Sequence, residues 1–474
     1  MKSKSSLRKV LLELSKYGML LITLLLCVLF SLFTRPAIQR EGADAGAALA
    51  KAIVASRPTG AKVAVITQNR EQDRELLAAL KGALEARGAS IVATTQGTPG
   101  EAEKMLKDLA ARDLAIDVLA CSRTAAAWGP VQERLGSQDE PSAAWKRLGN
   151  PQVITPPPRY GWPTFLTVSN AKNIAIMVSV IAIIAIGMTM VIITGGIDLS
   201  VGSIVALSAV ICALLIRDGI SLSWLGMSGK VLGGSLQATT ATMIISSLIA
   251  VLICGLFGLV TGLLVTACRL PAFIVTLSFM LIARGIAKYL TESESVYQIP
   301  SSFQWLGGGA SLGISNAVLL MFLLYAVAFV VMHYTVLGRY LYAVGGNMEA
   351  ARLSGVPVFR VVVFAYILCG LLAGVGGIVE ASRSKSGSAN FGQMYELDVI
   401  AAVVVGGTSI VGGEGKILGT LVGAFMITII KSGMNQCGIK DDQQPIVLGL
   451  VILGAVLLDK LKHWLIRVSN VSQE

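Results

Sequence analysis

Charged residues, histidines and aromatic residues are scarce in this sequence. Asp, Glu, Lys and Arg make up only 14% of its 474 residues, and there are only two histidines. A soluble protein of this length needs more charge than this to cover its surface. Apolar residues account for 54% of the chain, and the mean hydropathy is +0.71. The composition therefore indicates a polytopic membrane protein.

Several kinds of site lack the residues that they need. The seven cysteines form no CxxC pair, so neither a disulfide framework nor a zinc site is expected. No Gly-Lys-Ser/Thr follows the glycine-rich segment near the C-terminus, so a Walker A phosphate-binding loop is absent. No nucleophile and base form a convincing catalytic pair. We therefore expect no catalytic residues, no metal, no cofactor and no ATP hydrolysis in this chain.

The formal net charge of +11 raises the question of nucleic-acid binding. The basic residues do not form one patch, however. Many of them flank apolar stretches, as the positive-inside rule describes for cytoplasmic loops. We therefore expect the lipid bilayer, and not nucleic acid, as a partner.

About ten apolar runs approach the roughly 20 residues that a helix needs to cross a bilayer. The predicted spans are Tyr17–Phe33, Ile174–Ile193, Val201–Ile216, Thr239–Ala267, Phe273–Leu290, Ala317–Met332, Val361–Val379, Val399–Val411, Ile417–Ile430 and Ile446–Leu465. The runs near Val399 and Ile417 are short and glycine-rich, so either could be re-entrant. The first run is an uncleaved anchor or a cleaved signal peptide. No clear small-x-small cleavage site follows it, which favours the anchor.

Basic residues set the predicted orientation of the spans. They precede the first span, and they recur at Arg269, in the loop 335–360 and in the tail after Leu458. These segments and both termini are therefore predicted to be cytoplasmic. The loop 291–315 has two glutamates and no basic residue, and is predicted to face outward. Arg383 and Lys385 do not fit this rule, because the predicted orientation places them outside. Either these two residues line the mouth of the pathway or contact a partner protein, or the number of spans is wrong at this point.

A polar interval at 35–160 separates the first two spans and is predicted to be a globular α/β domain. Its predicted strands are Lys62–Ile66, Ser90–Ala93 and Ile116–Ala120, and its predicted helices are Glu71–Arg87 and Gly100–Leu114. Alternating strands and helices imply βαβ units and a parallel, Rossmann-like sheet. This insertion follows the first span, so it is expected on the extracytoplasmic side. The predicted divisions are 1–34, with the N-terminus and first span, the insertion at 35–160, and a transmembrane core at 161–474.

Through this order of strands and helices, the insertion resembles part of one lobe of a type I periplasmic sugar-binding protein. Ligand capture in that family needs two lobes that close on each other. Two alternatives therefore stay open: a spacer or docking domain, or a role in recognising a ligand or receptor. The segment Ile154–Tyr160, with three consecutive prolines, is predicted to be a stiff, extended linker into the membrane.

The clearest functional signal lies between the second and third predicted spans, where glycines and hydroxyls flank an acid. Glycines at membrane depth can break a helix and free backbone groups that then need polar partners. Asp198 is costly in hydrocarbon unless it is paired or solvated, and it could also cap the helix that starts near Leu199. The candidate solute-pathway residues here are Thr194, Gly195, Gly196, Asp198, Ser200, Gly202 and Ser203.

Three blocks of sequence resemble, in order, the permease subunits of ribose-, xylose-, galactose- and autoinducer-2-type ATP-binding-cassette (ABC) importers. They are GMTMVIITGGIDLSVGSIVALSA (Gly187–Ala209), GRYLYAVGGNMEAARLSGV (Gly338–Val356) and YELDVIAAVVVGGTSIVGGEGKILGTLVGAF (Tyr395–Phe425). The resemblance implies an all-helical permease in a bacterial inner membrane that imports a monosaccharide or similar small polar solute by alternating access. It also implies partners: ATPase subunits that bind Mg-ATP, a second permease subunit and an extracytoplasmic solute-binding protein. In that family the loop after the first span is short, so the insertion is a departure.

The second block is expected to hold the short cytoplasmic helix through which, by this resemblance, the ATPase moves the membrane helices. Asn347 can cap such a helix, Glu349 suits its positive N-terminal end, and Gly355 can end it. An ordinary surface helix is the alternative. The candidate coupling residues are Gly345, Gly346, Asn347, Glu349, Ala350, Ala351, Arg352 and Gly355.

The third block adds further pathway candidates. Gly419 and Gly423 form a GxxxG pattern, which permits close contact between helices. The acids Glu396 and Asp398 precede an apolar run, and they lie at the external mouth of a pathway or at a solvated loop end. Gly406 and Gly407 complete the candidate set.

Three other functions compete with this interpretation. A branched-chain amino-acid ABC permease is related, although the GGIDLSVGS block favours a sugar-like solute. An ion-coupled secondary transporter would need more buried acids and no ATPase partner. A membrane receptor would use the insertion to sense a ligand. A co-purifying ATPase subunit would distinguish the importer from the last two.

Overall fold

A computed structural model describes residues 18–57, 60–132, 134, 142–221, 230–232, 238–440, 442–451 and 453–454. The chain divides into two compact units. The helical unit comprises Met1–Thr34 and Thr164–Glu474, and the inserted unit comprises Arg35–Pro163.

Short strands and helices alternate up to residue 160, and long helices follow. The first elements in chain order are α1 (Gly18–Phe33), β1 (Ala37–Ile38), α2 (Gly42–Ser56), β2 (Lys62–Thr67), α3 (Glu71–Glu85), β3 (Ser90–Gln96), α4 (Pro99–Ala111), β4 (Val118–Cys121), α5 (Arg123–Ala126), α6 (Gly129–Gln132), α7 (Ala143–Arg147), β5 (Gln152–Ile154) and β6 (Arg159–Tyr160). The later elements are α8 (Val168–Ile193), α9 (Val201–Asp218), β7 (Ile220–Ser221), β8 (Lys230–Leu232), α10 (Thr240–Thr266), α11 (Ala272–Leu290), β9 (Ala310–Ser311), β10 (Ile314–Ser315), α12 (Asn316–Tyr334), α13 (Val336–Gly346), α14 (Met348–Leu353), α15 (Val358–Ser384), α16 (Tyr395–Val405) and α17 (Ile417–Gln436).

A four-stranded parallel sheet in the order β3-β2-β4-β5 forms the centre of the inserted unit. Alternate residues of β2 point to opposite faces of the sheet, as the period of a strand requires. Val63 and Val65 pack with α2 and α3 on one face. Ala64 and Ile66 pack on the other face with α4 and with Trp145 of α7. Helices on both faces of a parallel sheet make this a doubly wound α/β arrangement.

The inserted unit contains elements that were not predicted, among them the short helices α5, α6 and α7, and it differs from its sequence prediction in three further places. The sheet has a fourth strand, β5, which is only three residues long and so shows no periodic pattern. Helix α2 was missed because its sequence is mostly alanine and glycine, although Leu49 and Ile53 bury a real apolar face. The prediction of a linker at Ile154–Tyr160 is wrong at both ends: Ile154 lies in β5, and β6 pairs antiparallel with β1.

Helices α8, α9 and α15 form the centre of the helical unit. In the most apolar stretch of these helices, 89%, 72% and 72% of the residues are buried, against 33%, 22% and 33% for α10, α11 and α12. Bulky apolar side chains lie exposed on the outer helices, for example Leu252 and Leu281 at 65% each. Helices that are apolar all round, yet exposed on one side, are what a lipid-facing surface requires.

The described residues include seven helices that are long and apolar enough to cross a membrane: α8, α9, α10, α11, α12, α15 and α17. Seven of the ten predicted spans correspond to them. The first predicted span corresponds to α1, with 16 residues. The predicted span at Val399–Val411 is not one continuous helix, because α16 has only 11 residues and ends at Val405. Such a helix is about 16 Å long, half the thickness of the hydrocarbon core. This helix is therefore too short to cross by itself, and the chain continues beyond it as the loop that leads into α17.

The last predicted span, Ile446–Leu465, and the basic tail after Leu458 lie mostly outside the described residues. Only 444–451 and 453–454 within or next to this span are described, and they are helical.

Candidate functional site

Seven non-helical residues, 194–200, separate α8 from α9. Gly195 has a φ of +83°, a left-handed conformation that glycine adopts without strain, and it ends α8. The hydroxyl of Thr194 donates to the carbonyl oxygen of Val191 at 2.7 Å. The helix therefore breaks at the predicted glycines, and we call residues 194–200 the helix break.

Asp198 is the one acid of the helix break, and it is only 1% exposed. Its Oδ1 accepts hydrogen bonds from the backbone amide and the hydroxyl of Ser200, at 2.9 and 2.5 Å. Ser200 precedes the first residue of α9 and makes no side-chain capping bond itself. The bond from the amide of Ser200 is the one that the predicted capping role requires, although α9 itself begins at Val201 and not near Leu199.

The other carboxylate oxygen of Asp198, Oδ2, is buried and accepts no hydrogen bond of ordinary geometry from a described residue, and the thiol of Cys369, a weak donor, is the polar group that interacts with this carboxylate. The hydroxyls of Ser203 and Tyr366 are also buried without a hydrogen-bond partner in the described part of the chain. Such a group costs roughly 1–3 kcal/mol, and more when it is charged. The helix break and its surroundings therefore hold polar groups that water or a polar solute would satisfy.

Tyr366 and Cys369 of α15 are neighbours of Asp198 that the sequence prediction missed. Both interact electrostatically with its carboxyl group. A Cβ on Gly196 would lie 2.5 Å from the hydroxyl oxygen of Tyr366, and a Cβ on Gly187 would lie 2.5 Å from the Cα of Cys369. Small residues thus let α15 approach both α8 and the helix break closely. The available signal was a tyrosine and a cysteine inside an apolar run, which is weak because many buried helices contain them.

The loop between α16 and α17, residues 406–416, closes on the end of α8. The backbone amide of Gly413 donates to the carbonyl oxygen of Ile193, the last residue of α8, at 2.9 Å. A Cβ on Gly412 would lie 3.1 Å from the backbone nitrogen of Gly195. The structure therefore brings the glycine-rich loop and the helix break together.

The predicted close contact of the GxxxG pattern is confirmed. A Cβ on Gly406 would lie 2.7 Å from the carbonyl oxygen of Gly419, and a Cβ on Gly423 would overlap the carbonyl oxygen of Ala402. Gly407 faces open space instead and has a φ of +88°. Of the two candidate glycines in this loop, Gly406 serves helix packing and Gly407 serves the backbone turn.

Glu396 and Asp398 lie in the first turn of α16 and contact other residues. Asp398 is 3% exposed and forms an ion pair with Lys431 of α17. It is therefore not at a solvated loop end. The carboxylate of Glu396 lies so close to Gly202 of α9 that a Cβ there would overlap it, and it also interacts with Arg284 of α11.

Four charged residues around these acids were not assigned from the sequence. Glu380 and Arg383 form an ion pair at the end of α15, so Arg383, which the charge rule left external, has a partner within the chain. The ammonium group of Lys431 lies 5.9 Å from the centre of the Tyr395 ring. Arg284 is the fourth residue. The available signal was a cation inside one apolar run, at Arg284, and another directly after a second run, at Lys431. Cations at such positions are rare and usually functional or paired.

Arg284 holds the segment between α15 and α16. Its guanidinium group donates to the carbonyl oxygens of Ala389 and Phe391, both at 2.6 Å, and to that of Gly392 at 3.4 Å. Gly392 has a φ of +64° and packs against the backbone of Gly202. One side chain thus fixes the non-helical backbone that leads into α16.

The predicted coupling helix is present as α14. The side chain of Asn347 accepts a hydrogen bond from the amide of Ala350 at 2.9 Å, which confirms the predicted cap. Gly355 has a φ of +85° just after the helix, as the predicted stop requires. Glu349 lies in the first turn and Arg352 in the last, where each suits the helix dipole.

Helix α14 presents a mixed surface. Only Ala351 is buried, at 5% exposure, and Glu349 and Arg352 are exposed. Leu353 is 88% exposed and Met348 is 47% exposed. A short helix that exposes both charges and apolar side chains is suited to contact another protein.

Gly345 and Gly346 end α13 and differ sharply in their surroundings. A Cβ on Gly345 would overlap the carbonyl oxygen of Ile193 and lie 2.5 Å from the amide nitrogen of Gly413, whereas a Cβ on Gly346 would meet nothing. The hydroxyl of Tyr342 in α13 also donates to the carbonyl oxygen of Gly415, at 2.8 Å. The structure thus joins the predicted coupling and pathway segments at one point, which we call the Gly345 junction.

Among the described residues, no three His, Cys, Asp or Glu side chains are arranged as ligands for a metal ion. What the helical unit offers instead is a broken helix with unsatisfied polar groups, linked through backbone contacts to an exposed short helix. Such an arrangement suits the movement of a polar solute better than covalent chemistry.

Comparison with known proteins covers the helical unit. The family described as "Branched-chain amino acid transport system / permease component" matches residues 170–458. The ribose import permease protein of Escherichia coli (strain K12) is 41% identical over 305 residues, which are 64% of this chain and 88% of that protein. The ribose import permease protein of Bacillus subtilis (strain 168) is 39% identical, over 63% of this chain and 87% of that protein. The galactose/methyl galactoside import permease protein of Escherichia coli (strain K12) is 36% identical, over 64% and 89%. No solved structure matches this chain.

Proposed function

Because this chain belongs to the family of permease components of branched-chain amino acid transport systems, we propose that it is the membrane permease of an ABC importer for a monosaccharide. The observation that carries this proposal is the similarity over residues 170–458. That range includes the helix break, the Gly345 junction and α14. ATP hydrolysis is then the work of a separate subunit, and this chain is not an enzyme.

The proposed solute is a small sugar, although the family description names amino acids. The relatives at 41%, 39% and 36% identity are permeases for ribose and galactose, and an L-arabinose ABC transporter permease of Azospirillum brasilense is 35% identical. The chemistry of the helix break supports this choice. A sugar hydroxyl can both donate and accept, so it can satisfy the Asp198 carboxylate and the neighbouring hydroxyls. An ion-coupled secondary transporter is set aside, because these relatives are permeases of ABC importers.

We infer the remaining subunits and the topology from this class. ATPase subunits, a second permease subunit and an extracytoplasmic solute-binding protein complete the importer in the bacterial inner membrane. With both termini in the cytoplasm, α14 faces the side where ATP is hydrolysed, and the insertion faces outward. The exposed Glu349, Arg352 and Leu353 of α14 support a contact with the ATPase.

In the proposed mechanism, movement of α14 reaches the solute pathway through the Gly345 junction. Backbone contacts transmit displacement well, because no flexible side chain lies between Gly345 and the carbonyl oxygen of Ile193. Ile193 is followed directly by the helix break. A shift of α13 would therefore change the exposure of Asp198 to a solute, as alternating access requires.

The test is reconstitution of the permease in vesicles with its ATPase subunit and a candidate binding protein. Ribose, arabinose, galactose and leucine are supplied in turn, and ATP hydrolysis and uptake of labelled solute are measured. We expect at least one sugar to stimulate both activities, and leucine to stimulate neither. Stimulation by leucine alone would favour the amino-acid permease. Failure of any ATPase to co-purify would contradict the importer itself.

The orientation is tested separately by labelling with a membrane-impermeant maleimide. Leu353→Cys in a cysteine-free background places a thiol on α14, and Glu294→Cys places one on the loop predicted to face outward. We expect labelling of Leu353→Cys in inverted vesicles only, and of Glu294→Cys in intact spheroplasts. Labelling of Leu353→Cys from outside would place α14 out of reach of the ATPase.

A further inference from the structure

The inserted unit has a crevice where its sheet topology places binding sites in doubly wound folds. β2 lies between β3 and β4, so the chain winds in opposite directions from it. In such sheets, ligands bind outside the carboxyl ends of the strands at this switch point. A cavity of about 80 Å³ lies there, lined by residues after β2, residues after β4 and the segment before α2.

Three arginines contribute to the lining of this crevice. Arg40, Arg70 and Arg123 line it, from three separate segments of the chain. Within the described part of the chain, Arg70 and Arg123 form no salt bridge at 4 Å or less. Arg40 pairs with Asp44 at 2.9 Å, but its Nε is buried and finds no acceptor among the described residues. The crevice thus offers hydrogen-bond donors that lack acceptors.

Two acids, Glu41 and Asp73, also line the crevice, and each accepts a hydrogen bond from a neighbouring residue. Glu41 accepts a hydrogen bond from the side chain of Gln72 at 2.9 Å, and Asp73 accepts one from the amide of Gln68 at 3.0 Å. Burial raises the pKa of Asp73, although the Gln68 amide and the charge of Arg70 act to lower it. The positive end of the 15-residue helix α3 also faces the crevice at Arg70.

The size of the cavity limits the ligand. It exceeds the roughly 15 Å³ that one water molecule needs, and it is well below the roughly 300 Å³ of pockets that enclose a whole small molecule. It therefore suits one small group on an otherwise exposed solute. Excess donors in a fork geometry favour a group with two or three acceptor oxygens.

We infer that this crevice binds an oxyanion, the carboxylate or phosphate group of a small extracytoplasmic solute, between Arg70 and Arg123. This site lies wholly in the inserted unit and outside the residues that match the permease family. It therefore stands or falls independently of the solute that the permease transports.

The experiment is equilibrium dialysis of radiolabelled inorganic phosphate against the full chain in lipid nanodiscs at low ionic strength. Acetate and ribose are the two competitors, and they separate a carboxylate from an uncharged solute. Arg70→Gln and Arg123→Gln each remove one guanidinium group. Arg87→Gln is the matched control, because Arg87 is exposed just beyond the other end of α3 and does not line the crevice.

We expect saturable phosphate binding that weakens with added salt, and competition by acetate but not by ribose. Each crevice variant should raise the dissociation constant about tenfold, the loss typical of one hydrogen bond to a charged group. Arg87→Gln should change it less than twofold. The inference is overturned if phosphate does not bind saturably, if Arg87→Gln weakens binding as much as the crevice variants do, or if ribose competes as well as acetate.

Discussion

Two buried aspartates in the helical unit differ in their partners. Asp398, at the start of α16, is ion-paired with Lys431. Asp198, in the helix break, has no salt bridge with a described residue, and its Oδ2 accepts no hydrogen bond of ordinary geometry there. The two acids are equally inaccessible, at 3% and 1% exposure. Burial alone therefore does not distinguish the acid that we propose to contact the solute from a structural one, whereas its unsatisfied carboxylate oxygen does.

The largest expected effect comes from removing the cation that pairs with Asp398, which leaves this acid without an ion pair, as Asp198 is. Lys431→Met leaves Asp398 buried without its cation. We expect a loss of about 3 kcal/mol in the free energy of unfolding, since removing one partner of a buried ion pair leaves an uncompensated charge. Thermal unfolding of the purified protein in detergent measures it.

The control for this change is the double variant Asp398→Asn, Lys431→Met, which removes both charges. It should recover most of the lost stability. If Lys431→Met unfolds at the same temperature as the unmodified protein, the ion pair is not structural and the contrast with Asp198 disappears.

The second effect concerns the Gly345 junction, to which the helix break is joined. Gly345→Ala places a methyl group against the carbonyl oxygen of Ile193, whereas Gly346→Ala places one in open space. We expect Gly345→Ala to reduce solute uptake more than tenfold while ATP hydrolysis continues. Gly346→Ala should retain uptake within about twofold, as substitutions without new contacts usually do. Both activities are measured in reconstituted vesicles, and equal loss in the two variants would argue against transmission at Gly345.

The third change, Asp198→Asn, tests whether the carboxylate of Asp198 contacts the solute. The amide keeps the size of the side chain and removes the charge, so one charge-assisted hydrogen bond to the solute is weakened. We expect uptake to fall about tenfold with no loss of thermal stability, because no cation is left unpaired. Asp198→Ala should also lower uptake. Unchanged uptake kinetics would assign Asp198 a purely structural role at Ser200.

The sequence predicted the parts of this arrangement that depend on local chemistry. Gly195 ends α8, Asn347 caps α14 and Gly355 follows it, because each effect involves residues within a few positions of one another. Tyr366, Cys369 and Lys431 were missed, since their roles depend on contacts between helices far apart in the chain. The start of α9 lies at Val201, two residues later than the local pattern suggested, while the predicted bond of Asp198 to a nearby amide is present.

The inserted unit shows the same limit. Helices α3 and α4 were predicted from their apolar periodicity, which is strong over ten or more residues, and strands β2 to β4 from the short apolar runs between them. Strand β5 and helix α2 were not, because three residues show no period and an alanine-rich face gives little contrast. Their contributions to the sheet edge and to one core come from packing that only the assembled fold reveals.

The smallest effect concerns Glu349, which is exposed on α14 and so differs from the buried Asp398 and Asp198. Its replacement by Ala removes no internal contact, so the free energy of unfolding should change by less than about 0.5 kcal/mol. An exposed ion pair with the ATPase is worth up to about 1 kcal/mol, or roughly fivefold. We therefore expect Glu349→Ala to lower solute-stimulated ATP hydrolysis up to about fivefold, and Arg352→Ala to do the same. Glu294→Ala, an equally exposed acid on the loop predicted to face outward, should leave stimulation unchanged. Full stimulation in Glu349→Ala and Arg352→Ala would remove the charged residues of α14 from the coupling surface and leave its exposed Leu353 as the remaining contact.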